Sequence, residues 1–209
     1  MKRDDLTLYA VTDRSWLGEE SLGVQVEKAL KGGATFVQLR EKHLDGENLL
    51  REAREIASLC HIYGVPFVVN DNVEIAIACG ADGVHVGQED MAVPEARRLL
   101  GPNMIIGATC KTVEQAIRAQ EQGADYLGSG AMFSSIAKPN AQPISFETLR
   151  DICGAVTIPV VAIGGIARDN VRLLRGCGIA GVAVVSAIFA QPDIEVATRE
   201  LYQTVTQIL

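Results

Sequence analysis

Gly32–Arg40 reads GGATFVQLR, and the pattern returns as CGADGVHVG at Cys79–Gly87 and as QGADYLGSG at Gln122–Gly130. A looser copy, GCGIAGVAVV, lies at Gly176–Val185. Each copy places glycine and a small residue between a stretch of helical spacing and a short apolar run. Glycine there suits the left-handed turn that closes a helix, and alanine suits a tight junction between helix and sheet. The repeating unit is therefore helix, turn, strand.

Working outward from these copies, eight apolar runs read as strands. They are LTLYAVTD at 6–13, FVQLREK at 36–42, PFVVND at 66–71, GVHVGQ at 83–88, MIIGATC at 104–110, YLGSGAM at 126–132, PVVAIGG at 159–165 and GVAVVSA at 181–187. Between them lie helical segments such as ENLLREAREIASLCHIYG at 47–64, where Leu49, Leu50, Ala53, Ile56, Ala57 and Cys60 form one apolar stripe. Alternating βα units with near-continuous apolar strands imply a parallel sheet covered by helices. Eight such units in 209 residues predict a (β/α)8 TIM barrel, with residues 1–209 forming a single domain. An open doubly wound sheet would need a glycine-rich dinucleotide turn after the first strand, and VTDRSWLGEE at 11–20 has none.

Composition agrees with a large core, since 48% of residues are hydrophobic and only 22% are charged. The 19 basic and 26 acidic residues give a net charge of −7, which argues against a general nucleic-acid binder but leaves room for a local basic pocket. No apolar run reaches membrane-spanning length. The opening MKRDDLTLYAVTD meets acids where a signal sequence needs an apolar stretch, so a cytoplasmic protein is expected. Five cysteines form no CxxC pair and are odd in number, which predicts reduced, mostly buried thiols.

Polar residues collect where the strands end, the rim on which barrels of this class build their sites. Gln38, Arg40 and Lys42 alternate at the end of the second strand, so their side chains share one face. Asn70 and Asp71 end the third strand, Gln88 to Asp90 the fourth, and Thr109 the fifth, while Ser134, Ser135 and Lys138 follow the sixth. Arg40, Lys42 and Lys138 provide positive charge for phosphoryl oxygens. Asp71 and Asp90 are hard oxygen donors from neighbouring strands, which suits Mg²⁺. Without a metal they read as strand-end acids paired with Arg40 or Lys42. Glu41 and Glu89 alternate away from these faces. Gly164 and Gly165 after the seventh strand, with VVSAI after the eighth, suggest a second anion site built from backbone amides. The rim thus predicts two small phosphorylated substrates. No acid–base dyad or Ser-His-Asp set stands out, and neither His43 nor His85 has a nucleophile at recognisable spacing.

QLREK, VVNDN, GVHVGQED, AIGGI and VVSAI, in this order and across nearly the whole chain, resemble the thiamine-phosphate synthase family. The resemblance implies a transferase that joins a pyrimidine methyl diphosphate to a thiazole phosphate and releases pyrophosphate with the help of Mg²⁺. By matching position, Gln38, Leu39, Arg40, Glu41, Lys42, Asn70, Thr109 and Lys138 would line the pyrimidine diphosphate site. Among them, Arg40, Lys42 and Lys138 would carry the catalytic charge. Asp71 and Asp90 would hold Mg²⁺, and Ser135, Ile136, Ala137, Gly165, Val185 and Ser186 would cradle the thiazole phosphate. A homo-oligomer is compatible with the sequence.

One segment departs from the family pattern. The loop after the sixth strand reads SSIAK where the family reads like P-T-x-T-K, so Ala137 lacks the second hydroxyl. Two rival readings are a thiazole tautomerase of the same superfamily and a non-catalytic sensor of phosphorylated metabolites. Tautomerase relatives tend to lack the metal aspartates and carry histidine after the fifth strand, whereas this chain has Asp71, Asp90, Cys110 and Lys111.

Overall fold

The computed structural model describes residues 1–134 and 142–209. All eight expected strands are present, each a trimmed version of its apolar run. They are β1 (Leu8–Val11), β2 (Phe36–Leu39), β3 (Phe67–Asn70), β4 (Gly83–Val86), β5 (Ile105–Cys110), β6 (Tyr126–Gly130), β7 (Val160–Ile163) and β8 (Gly181–Val184). Each pairs in parallel with the next, and β8 returns to β1 with Ala183 opposite Tyr9, closing the barrel.

The helices are α1 (Leu22–Gly32), α2 (Gly46–Tyr63), α3 (Val73–Cys79), α4 (Val93–Leu100), α5 (Val113–Glu121), α6 (Phe146–Ala155), α7 (Ser186–Phe189) and α8 (Ile194–Thr206). Several of their starts carry side-chain caps. Ser21 accepts from Val24 N, Thr112 from Gln115 N and Asp193 from Val196 N. Their ends explain the repeat: Gly33 and Gly80 have φ of 102° and 73°, the left-handed turn that directs the chain from helix back to strand.

The crossover from β7 to β8 is different. It contains the short 3-10 turn Val171–Leu174 in place of an α-helix, and Gly164, Gly165, Gly176 and Gly178 with positive φ bracket it.

Alternation along the strands divides the core into two layers. Residues facing outward, such as Val37 and Leu39 of β2, pack with the buried faces of the helices. Residues facing inward, such as Tyr9, Phe36, Val68, Ile105, Tyr126 and Val161, fill the barrel. The rings of Tyr9, Phe36 and Tyr126 meet edge-on, with centroids 4.6–5.9 Å apart. Strand glycines are placed by contact: a Cβ on Gly83 would lie 1.9 Å from the Ile105 carbonyl oxygen. All five thiols are free, and burial pushes Cys60 up to about 12. No helix among the described residues is long and apolar enough to cross a membrane.

Candidate active site

The C-terminal ends of the strands open into a pocket of about 180 Å³. Gln38 and Arg40 reach it from the end of β2, Asn70 from β3 and Thr109 from β5. On the other side it is lined by Gly164 and Gly165 after β7 and by Val185 and Ser186 after β8. Residues more than 140 positions apart in the chain therefore share one concave surface.

Parity along the segment that follows β2 sorts its side chains. Gln38 is buried facing the pocket, and Arg40 Nη1 lies 3.3 Å from Asp13 Oδ2 in the loop after β1. Burial acts to raise the Asp13 pKa, but hydrogen bonds from Ser15 and the charge of Arg40 outweigh it and hold the carboxyl below its ordinary value. Leu39 points the other way, into the layer between sheet and helices. Glu41 also turns away. Its side chain is 1% exposed, accepts from Arg14 Nε at 2.6 Å and accepts from the backbone N–H of His43 at 2.6 Å. Arg14 in turn donates to Glu52 of α2. A contact from Leu39 or Glu41 to a pocket ligand would thus be a main-chain contact. Lys42 is exposed and is not part of the pocket lining.

Asp71 and Asp90 are both exposed, beyond the ends of the adjacent strands β3 and β4. Asp71 has φ of 62°, an uncommon value for a residue with a side chain, and its N–H donates to the His85 carbonyl of β4 at 2.8 Å. Asn70 Nδ2 donates to the Asp71 carboxylate. Asp90 Oδ2 accepts from Gly87 N at 2.8 Å, which folds the loop after β4 back on its strand.

Across the mouth, Gly165 has φ of 64°, and a Cβ there would stand 2.3 Å from the Ser134 carbonyl oxygen. Asn170 secures this turn, donating to Gly165 O and accepting from Ala167 N, both at 2.9 Å. Ser186 begins α7 immediately after Val185. Ser135, Ile136, Ala137 and Lys138 lie outside the described residues.

The sequence reading missed the floor of the pocket. Tyr9, His85 and Tyr126 lie there with Gln38 and Thr109 in one run of hydrogen bonds. Gln38 Nε2 donates to Tyr9 Oη at 2.5 Å, and the Tyr9 and Tyr126 hydroxyls are 2.8 Å apart. His85 Nδ1 is 3.0 Å from Tyr126 Oη, and its Nε2 is 3.0 Å from Thr109 Oγ1. The available signal was parity: a tyrosine or histidine at an inward position of a barrel strand is a polar atom that needs a partner. Lys111 also lines the pocket. Cys110, by contrast, faces the outer layer, where its thiol pairs with Ser129 Oγ at 3.0 Å and burial raises its pKa. It is placed as a packing residue, not a nucleophile.

Comparison with known proteins identifies the family. The family model for thiamine monophosphate synthase matches residues 8–188. The thiamine-phosphate synthase of Ruminiclostridium cellulolyticum is 45% identical over 199 residues, covering 95% of each chain. That of Clostridium tetani is 43% identical over 200 residues, covering 96% of each. Among solved structures, thiamine phosphate pyrophosphorylase from Pyrococcus furiosus superposes with a TM-score of 0.91 at 40% identity. That match covers 99% of this chain and 98% of the other. With a closed barrel, a polar mouth and these matches along its length, the chain belongs to the thiamine monophosphate synthase family.

Proposed function

We infer that the chain makes thiamine phosphate. It transfers the pyrimidinylmethyl group of 4-amino-2-methyl-5-hydroxymethylpyrimidine diphosphate to the ring nitrogen of 4-methyl-5-hydroxyethylthiazole phosphate. The observation that carries this reading is the shared pocket, in which Gln38, Arg40, Asn70 and Thr109 face Gly165, Val185 and Ser186. One side offers hydrogen-bonding side chains and a cation, and the other offers glycine-rich backbone at which a phosphate can approach N–H groups.

The chemistry follows from what these groups can supply. The C–O bond to the diphosphate breaks with its electron pair leaving on oxygen, and the electron-rich aminopyrimidine stabilises the resulting carbocation. The thiazole nitrogen then closes the new C–N bond with its own lone pair, so no general base is required. Arg40 provides fixed positive charge where the leaving group becomes more negative, a contribution that grows along the reaction. Gln38, Asn70 and Thr109 orient the pyrimidine.

The residues that would hold Mg²⁺ are Asp71 and Asp90. Both are exposed carboxylates just beyond the ends of the adjacent strands β3 and β4, outside the lining of the pocket itself. A site with two carboxylates suits an ion that takes its remaining ligands from water and phosphate. When bound there, Mg²⁺ supplies charge that stabilises the departing pyrophosphate.

The test is incubation with both substrates and Mg²⁺, following thiamine phosphate and pyrophosphate. Equal yields of the two are expected. Interconversion of thiazole isomers without coupling would favour a tautomerase, and binding without turnover would favour a sensor.

A further inference from the structure

The five polar side chains beneath the pocket belong to five different strands or strand ends, and their hydrogen atoms can be followed one by one. Tyr9 and Tyr126 are buried, and burial raises both phenol pKa values, so each hydroxyl brings one proton to donate. Tyr9 Oη accepts from Gln38 Nε2, and the ordering that leaves neither phenol hydrogen unpaired sends the Tyr9 hydrogen to Tyr126 Oη, 2.8 Å away. In that ordering Tyr126 is the donor to His85 Nδ1, 3.0 Å away. A neutral imidazole that accepts at Nδ1 carries its hydrogen on Nε2, which donates to Thr109 Oγ1. The Thr109 hydroxyl hydrogen is then directed away from His85. At the other end, Gln38 Oε1 makes no hydrogen bond among the described residues, and Gln38 lines the pocket.

Two glycines make room for this arrangement. A Cβ on Gly107 would stand 2.3 Å from Tyr126 Oη and 2.5 Å from His85 Nδ1, and one on Gly128 would stand 3.2 Å from His85 Cε1. The contact between Tyr126 and His85 thus depends on the absence of a side chain at Gly107.

We propose that Tyr9, Tyr126 and His85 act as positioning residues, an ordered hydrogen-bond chain that fixes Gln38 as an acceptor and Thr109 as a donor toward the pocket. Resting on the function inferred above, this pattern selects a pyrimidine that offers an amino N–H beside an unprotonated ring nitrogen. The corresponding oxo-pyrimidine offers a carbonyl oxygen beside a ring N–H, the reverse pattern. To accept it, the Gln38 amide would have to flip and every hydrogen in the chain reverse, through both tyrosines and the histidine tautomer. Cooperative chains of buried hydrogen bonds resist such partial changes, because any single mismatch leaves a buried group unpaired.

Two measurements test this. First, the ligand-free protein is labelled with ¹⁵N-histidine and its three imidazoles are observed at neutral pH. Variants His43→Gln and His61→Gln assign the exposed rings. The expected His85 spectrum is a neutral ring protonated on Nε2; a hydrogen on Nδ1, or on both nitrogens, overturns the proposal. Second, Tyr126→Phe keeps the aromatic packing and interrupts the chain. It should raise KM for the aminopyrimidine diphosphate, leave thiazole phosphate KM unchanged, and reduce discrimination against the oxo analogue by about tenfold, the scale of one hydrogen bond. Thr109→Ser should retain discrimination and Thr109→Val should lose it. Unchanged discrimination in Tyr126→Phe would show that the chain does not set specificity. If the wild-type protein makes no thiamine phosphate, the functional reading fails, while the histidine spectrum still decides whether the chain is ordered as proposed.

Discussion

Arg40 and Asp13, 27 residues apart, meet above the pocket with Nη1 3.3 Å from Oδ2, and the two side chains are only 16% and 14% exposed. Among the described residues this is the side-chain partner of Arg40, so its Nε and Nη2 donors are left for a ligand. A guanidinium can hold Asp13 with one nitrogen and a phosphoryl oxygen with the others; a lysine ammonium has a single head. Arg40→Lys is therefore expected to lower turnover by roughly 10–150-fold, the value of one charge-assisted hydrogen bond at about 1.5–3 kcal/mol. Thiazole phosphate KM should change little. Steady-state kinetics with each substrate varied in turn would check this, and an effect confined to thiazole phosphate KM would place Arg40 at the wrong substrate.

Asp71→Asn and Asp90→Asn should each reduce Mg²⁺-supported turnover by about 10²–10³, or about 2.7–4 kcal/mol, as for loss of a group that stabilises transition-state charge. Both carboxylates are exposed, so thermal stability should stay near that of the wild type. Mg²⁺ titrations of turnover, run beside melting curves, separate the two effects. Unchanged turnover with unchanged Mg²⁺ dependence would remove these residues from the metal role.

Glu41 should matter for stability. Burial acts to raise its pKa, but the hydrogen bonds from Arg14 and from the His43 and Leu44 N–H groups outweigh it, leaving the folded value below 4.5. A lowered carboxylate pKa means stability that is present above the unfolded value and lost as pH falls through the folded one. Glu41→Gln should cost about 1–3 kcal/mol at neutral pH. The two unfolding curves should converge as pH drops below 4.5. Urea titrations across that range are the measurement, and a difference independent of pH would contradict the assignment.

Glycine positions give a stability contrast. Gly83→Ala would force a Cβ to within 1.9 Å of a backbone oxygen, with no flexible side chain to yield, and should cost about 3 kcal/mol or more. Gly154→Ala in α6 meets nothing within 4 Å and should stabilise by about 0.5 kcal/mol through helix propensity. Equal melting temperatures for the two variants would refute this reading of the barrel wall.

The eight strands, their parallel order and the positive-φ turns after α1 and α3 were legible in the chain because they depend on local pattern. Glycine followed by a small residue and an apolar run is a signal carried within ten residues, and repeating it leaves few ways to arrange a parallel sheet. The rim was legible for the same reason, since a polar side chain after an apolar strand is visible wherever the strand ends. Leu39 and Glu41 show where position in a motif and direction of a side chain separate. Glu41 was read correctly as turning away by parity, yet Arg14 and Glu52 as its partners depend on the packing of the β1 loop and α2 against β2. The absence of a helix between β7 and β8, the contact of Asp13 with Arg40, and the run from Gln38 through Tyr9, Tyr126 and His85 to Thr109 were decided by tertiary structure. Barrel closure brings β6 within reach of β1 across the interior, and only then can two hydroxyls 117 residues apart lie 2.8 Å from each other. Local sequence determines which face a side chain occupies; closure of the sheet determines which side chains share the interior.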